Sequence, residues 1–151
     1  MYLKIKNRQL ETFGYILYMM KLGGKKSRMR TKLFKIIEEY LKELNEANEA
    51  LIKEFAEFDE YGQLIFTNEE MTQFKLKPET ANDFYREQNV LLDEEVVIEL
   101  NETTKDMLLT VADCILEEEV KLDQEGAIIY DQLCEQFERI IEFCETGMTS
   151  E

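Results

Sequence analysis

Hydrophobic residues recur at three- and four-residue steps along most of this chain, and at two-residue steps in only a few short runs. Residues 1–6 alternate, with Tyr2, Lys4 and Lys6 on one side and Leu3 and Ile5 on the other, which predicts a short strand. Asn7 is placed to cap a helix on which Leu10, Phe13, Leu17 and Met20 share a face, and Gly23-Gly24 offers a stop. The longest element follows. From Ser27 or Thr31 to about Phe58 the chain holds no Pro and no Gly, and Leu33, Ile37, Tyr40, Leu44, Ala47, Leu51, Phe55 and Phe58 form one stripe. About thirty residues at 1.5 Å each make a rod of roughly 45 Å. A rod of that length packs against several shorter elements of the same chain or, alternatively, forms a homodimer with a second copy through the long helix.

Asp59-Glu60-Tyr61-Gly62 ends this helix. Residues 63–67 and 74–77 are β-like, while Thr67-Asn68-Glu69-Glu70 fits a capping box, so that 68–73 also reads as one helical turn. Pro78 suits the first turn of a helix to about Leu92, with Ala81, Phe84 or Tyr85, Gln88 and Leu91 inward. Residues 95–100 are the best strand in the chain and are expected to pair with 3–6. Asn101 or Thr103 caps a helix whose apolar face holds Met107, Leu108, Val111, Cys114 or Ile115, and Leu122. Gln124-Glu125-Gly126 interrupts, a last helix turns Ile129, Leu133, Phe137, Ile140, Ile141 and Cys144 inward, and 147–151 fray. The fold class is mainly α: a single helical domain over 1–151, built around one long helix (about 28–58) with a small antiparallel β element.

Composition sharpens this picture. A chain of 151 residues that is 44% hydrophobic buries a proper core, which excludes disorder, collagen-like repeats and disulfide scaffolds. The chain has no His, and so lacks the commonest general base and metal ligand. A net charge of −15 argues against generalised binding to nucleic acid or an anionic membrane. The average conceals a partition. The basic N-terminal quarter, 1–36, carries ten bases against one acid, Glu11, whereas the acidic body, 37–151, carries eight bases against thirty-two acids. Such an asymmetry predicts a charged partner, unless the two parts neutralise each other within the fold. Cys114, Cys134 and Cys144 make no Cys-x-x-Cys pair and are expected in the core of a protein kept in a reducing compartment. The longest uncharged run, residues 12–20, is far short of the ~20 residues that span a bilayer, and its flanks do not make a signal peptide. The expectation is a cytoplasmic protein without membrane contact.

No motif carries chemistry. Gly23-Gly24-Lys25-Lys26-Ser27 lacks the phosphate-loop pattern, with Met19 where the first Gly belongs and Lys26 where Ser or Thr belongs. Consecutive acids such as Glu117-Glu118-Glu119 diverge by about 100° each on a helix and do not converge on one cation. No catalytic residue, metal ligand or cofactor is assigned, and the expectation is a protein that is not an enzyme. Two surface features remain. In the basic segment 21–35, Lys25, Lys26, Arg28, Arg30, Lys32 and Lys35 enter or begin the long helix; Arg28, Lys32 and Lys35 share a face away from Leu33, Phe34 and Ile37. Guanidinium groups beside a helix N-terminus suit phosphates. In the acidic body, Asp93, Glu94, Glu117, Glu118 and Glu119 are candidates to meet a basic groove on another protein.

The runs Lys4-Ile5-Lys6-Asn7-Arg8-Gln9-Leu10, Lys25-Lys26-Ser27-Arg28-Met29-Arg30-Thr31-Lys32, Asp59-Glu60-Tyr61-Gly62 and Lys105-Asp106-Met107-Leu108-Leu109 resemble, in order and spacing, an uncharacterised family. Its members are small proteins encoded by phages and prophages of Gram-positive bacteria, often near tail and lysis genes. The likeness runs over nearly the whole chain and implies a phage origin and expression in the host cell cytoplasm, with no catalytic residues. Three functions are expected, in this order. The first is a non-enzymatic interaction protein that binds and inhibits or modulates a host protein handling nucleic acid, an anti-defence activity. The second is a virion-assembly or tail-accessory protein. The third is direct nucleic-acid binding through residues 21–35.

Overall fold

A computed structural model describes residues 1–147; the fraying expected after Gly147 lies outside the described residues. The chain divides into two compact units, residues 1–41 with those from 95 onward, and residues 42–94.

The first unit holds the small sheet. Strands β1 (Tyr2–Lys6) and β2 (Glu95–Glu99) pair antiparallel, Tyr2 opposite Glu99 and Lys6 opposite Glu95. Alternation sends Leu3, Ile5, Val96 and Ile98 into the core, as the pleat requires. Helix α1 (Leu10–Met19) follows a 3-10 turn. Asn7 lies inside that turn and does not cap it; the Gln9 side chain instead accepts from the Lys6 amide at 3.0 Å. Leu10, Phe13, Leu17 and Met20 are buried, as their spacing predicts.

Helix α2 (Gly24–Phe55) starts three residues before Ser27 and ends three before Phe58. Gly24 adopts a positive φ of 60° at its start, so the Gly pair opens the helix as much as it stops the one before. Leu33 and Ile37, from the start of α2, are fully buried in the first unit.

Helices α4 (Lys105–Glu117) and α5 (Gln124–Glu145) complete this unit. Asn101 prepares α4 from outside, its side-chain oxygen accepting from the amides of Thr103 and Thr104. Both Cys114 and Ile115 are buried, whereas Leu122 belongs to the connection after α4. Gly126 does not break a helix. It sits in the first turn of α5, where its amide donates to Asp123 Oδ1 at 2.6 Å; a Cβ there would lie 3.0 Å from that oxygen and 3.2 Å from Leu122 Cβ. Phe13 of α1 meets Phe137 of α5 edge-on, centroids 6.2 Å apart. Gln136 clasps β1, its amide oxygen accepting from Lys4 N at 2.8 Å and its nitrogen donating to Lys4 O at 2.7 Å.

The second unit joins the end of α2 to helix α3 (Ala81–Asp93) through a three-way β turn. Residues Glu57, Ile65 and Lys75 bond in a ring: Glu57 N–H donates to Lys75 O, Lys75 N–H to Ile65 O, and Ile65 N–H to Glu57 O. The antiparallel bridges Ala56–Leu76, Phe58–Leu64 and Phe66–Phe74 surround it. The helical turn allowed for 68–73 does not form, because the Asn68 side chain accepts from the amides of Thr72 and Gln73 and closes a tight loop instead. Asp59 and Gly62, the latter with φ of 76°, turn the chain between the first two arms. Phe84 is buried against Phe55 and Phe74, and Tyr85 is the partner turned outward. Phe55 is buried and Leu44, Ala47 and Leu51 are half-buried, so the predicted stripe faces its own unit as far as Phe55, whereas Phe58, its last member, lies beyond α2 and is exposed.

Candidate functional site: two charged surfaces

The basic segment unfolds into three roles. Arg30 is half-buried, and its guanidinium donates to Leu17 O at 2.7 Å and Met20 O at 2.6 Å, closing the carbonyl end of α1. Lys25 pairs with Asp106 of α4 at 2.8 Å, an exposed contact of small net strength. Lys26, Arg28, Lys32 and Lys35 are exposed and enter none of the described ion pairs or hydrogen bonds. Arg28, Lys32 and Lys35 follow one another at four- and three-residue steps on α2, so their charges line one face. Tyr18, 70% exposed, leans on Phe34 of α2 with centroids 6.1 Å apart. The arrangement opposes helix stability. Alone among the five α-helices, α2 has no acid in its first turn, where the macrodipole favours one.

The predicted acids separate by unit. Glu117 ends α4, Glu118 is its C-cap and Glu119 follows; Glu117 and Glu119 are exposed, and the Glu118 carbonyl accepts from the Tyr130 hydroxyl at 3.0 Å. Asp93 ends α3 and Glu94 caps it, both exposed. Neither helix has a base in its last turn, so the acids add to the negative end of the dipole.

A further group of acids is periodic, not consecutive. Glu43, Glu46 and Glu49 recur every three residues on α2 and are all exposed, flanked by Lys42 and Lys53. Like charges three apart on a helix repel, whereas Lys42 and Lys53, each four residues from Glu46 and Glu49 respectively, attract, each pair by about 0.2–0.5 kcal/mol. The second unit as a whole carries fourteen acids against five bases, and its ion pairs include Glu57 with Lys75 and Asp83 with Arg86. Helical spacing was the signal available in the sequence for these three residues.

The interior offers little for chemistry. Burial pushes the Cys114 thiol up despite the opposing charge of Lys26, and it pushes Cys134 up as well, so both stay protonated near neutrality and are poor nucleophiles. Burial, reinforced by Cys134, drives the Tyr130 hydroxyl up to about 12. That hydroxyl ties the end of α4 to α5, donating to Ile115 O at 2.6 Å and Glu118 O at 3.0 Å. Among the described residues no group of three metal-ligating side chains converges, and no helix is long and apolar enough to cross a membrane.

No curated protein and no solved structure matches the chain. A family model does, over residues 1–142, which is nearly the whole chain and takes in both charged surfaces. The chain therefore belongs to the family described as "Protein of unknown function (DUF1617)".

Proposed function

We propose that this is a non-enzymatic binding protein, encoded by a phage and acting in the host cytoplasm, whose acidic second unit occupies the basic surface of a host protein that handles nucleic acid. One observation carries the reading. Glu43, Glu46 and Glu49 stand exposed on successive turns of one helix, within about 120° of one another around its axis, and so present carboxylates to an outside cation. Fourteen acids against five bases give the unit the sign of a nucleic acid. A basic groove that holds phosphates meets here a set of exposed carboxylates on one broad side of a helix, each able to accept from Arg or Lys. Pull-down from host lysate tests it: a nucleic-acid-binding protein is recovered, and recovery weakens as salt rises. Recovery unaltered in the Glu43→Gln, Glu46→Gln, Glu49→Gln triple variant contradicts the reading.

A second reading rests on the first unit. Lys26, Arg28, Lys32 and Lys35, beside exposed Tyr18, offer phosphate contacts and one aromatic face. Four such contacts imply a slope of log K on log salt of about −3 to −4. Mobility-shift titration with single- and double-stranded DNA decides it, and no retention at low salt removes it.

A further inference from the structure

The ring of the second unit has an unused rim. Glu57, Ile65 and Lys75 turn their amides and carbonyls inward to one another. Backbone groups alternate in direction along an extended segment, so those of Phe74 and Leu76, on either side of Lys75, face outward. Phe66–Phe74 and Ala56–Leu76 are the non-hydrogen-bonded pairs of their bridges, and among the described residues the amides of Phe74 and Leu76 have no hydrogen-bond partner. The same strand borders a groove of about 600 Å³, lined by Phe74, Lys75 and Leu76 on one side and by Phe84, Tyr85 and Gln88 of α3 on the other. Tyr85 is 55% exposed there, and its ring meets Phe84 at 5.5 Å.

We propose that this groove receives an extended basic peptide segment, which adds as a further strand along Phe74 and Leu76; the inference rests on the binding function above and names the part of the partner that enters. Three features select that occupant. Donors and acceptors two residues apart fit an extended chain, as in other additions to a sheet edge. An aromatic floor favours apolar side chains at alternate positions of that chain. Charge selects basic residues for the rest: Lys75, the one charged residue of the lining, is paired with Glu57 at 3.1 Å, and the unit around the groove carries fourteen acids against five bases. A second copy is disfavoured, because two units of the same strong negative charge repel.

The probe is a labelled peptide of about eight residues alternating lysine and valine, titrated against the full chain by fluorescence anisotropy. Saturable binding is expected, with amide hydrogen exchange at Phe74 and Leu76 slowed about tenfold or more at saturation, while Ile65 and Lys75, already bonded, are unchanged. Tyr85→Ala weakens binding about tenfold, and N-methylation of the peptide valines abolishes it without altering the protein. Equal binding of a glutamate–valine peptide, or of the N-methylated one, overturns the proposal. So does unchanged exchange at Phe74 and Leu76, or no saturation at millimolar peptide. A host protein recovered through Glu43, Glu46 and Glu49 while the peptide fails rejects the groove alone; loss of both rejects the binding function as well.

Discussion

Arg30 shows how a residue chosen for its charge is consumed by the fold. The sequence places it in a run of six bases, and nothing in the run marks it as different; its position on α2, on the side of Ile37, turns it toward the end of α1. Arg30→Met removes two charge-assisted hydrogen bonds and is expected to cost about 2 kcal/mol in denaturant unfolding, whereas Arg28→Met stays within about 0.5 kcal/mol. Equal effects would mean that Arg30 is another solvated base. Tyr130 gives a second test. Its hydroxyl is held neutral in the fold, raised from 10.0 to about 12 chiefly by burial. Above pH 10 the unfolded chain ionises first, so the stability from this group is complete below pH 10 and lost as pH rises toward 12. The raised thiols of Cys114 and Cys134 act with the same sign from their ordinary value of 9.0. Unfolding measured from pH 8 to 12 should therefore fall less steeply in Tyr130→Phe than in the wild-type protein, and an identical slope would contradict the assignment.

At the scale of elements, the helical periods were legible and the breaks were not. Leu33 and Ile37, Met107 to Ile115, and Leu133, Phe137 and Ile140 follow 3.6-residue spacing into the core, because burial of an apolar stripe dominates helix formation. The β1–β2 pairing was readable from alternation on both strands. The ring of residues 56–77 was not: its three arms are too short for a period, and its bonds join residues that local pattern does not link. Glycines also misled, since a helix tolerates one where packing demands it. Gly126 lies against Asp123 and Leu122, while a Cβ on Gly14 of α1 would meet Ile37, Leu41 and Phe34 at 3.6–3.9 Å, an ordinary distance. Gly14→Ala is accordingly expected to raise stability by about 0.5–1 kcal/mol through helix propensity, and Gly126→Ala to lower it by disturbing the Asp123 cap. Thermal unfolding of the pair checks both signs.

For the whole molecule, the charge partition seen in the sequence survives folding in part. Internal neutralisation takes Lys25, and hydrogen bonding takes Arg30, but the other four of the six bases from Lys25 to Lys35 remain outside the described pairs and the second unit keeps a large excess of acid. Adjacent acids on a helix point apart, whereas Glu43, Glu46 and Glu49 occupy successive turns of α2 and are all exposed. Function was legible only as a sign of charge and an absence of recognisable chemistry, since a binding surface needs no motif.

The most direct measurement compares the wild-type protein with the Glu43→Gln, Glu46→Gln, Glu49→Gln variant in recovering host proteins at physiological salt, followed by competition of each recovered protein with a DNA oligonucleotide. The account predicts a nucleic-acid-binding protein retained by the wild type, released by added DNA or salt, and lost in the folded triple variant. Retention of the same proteins by both forms, or of none by either, would contradict it.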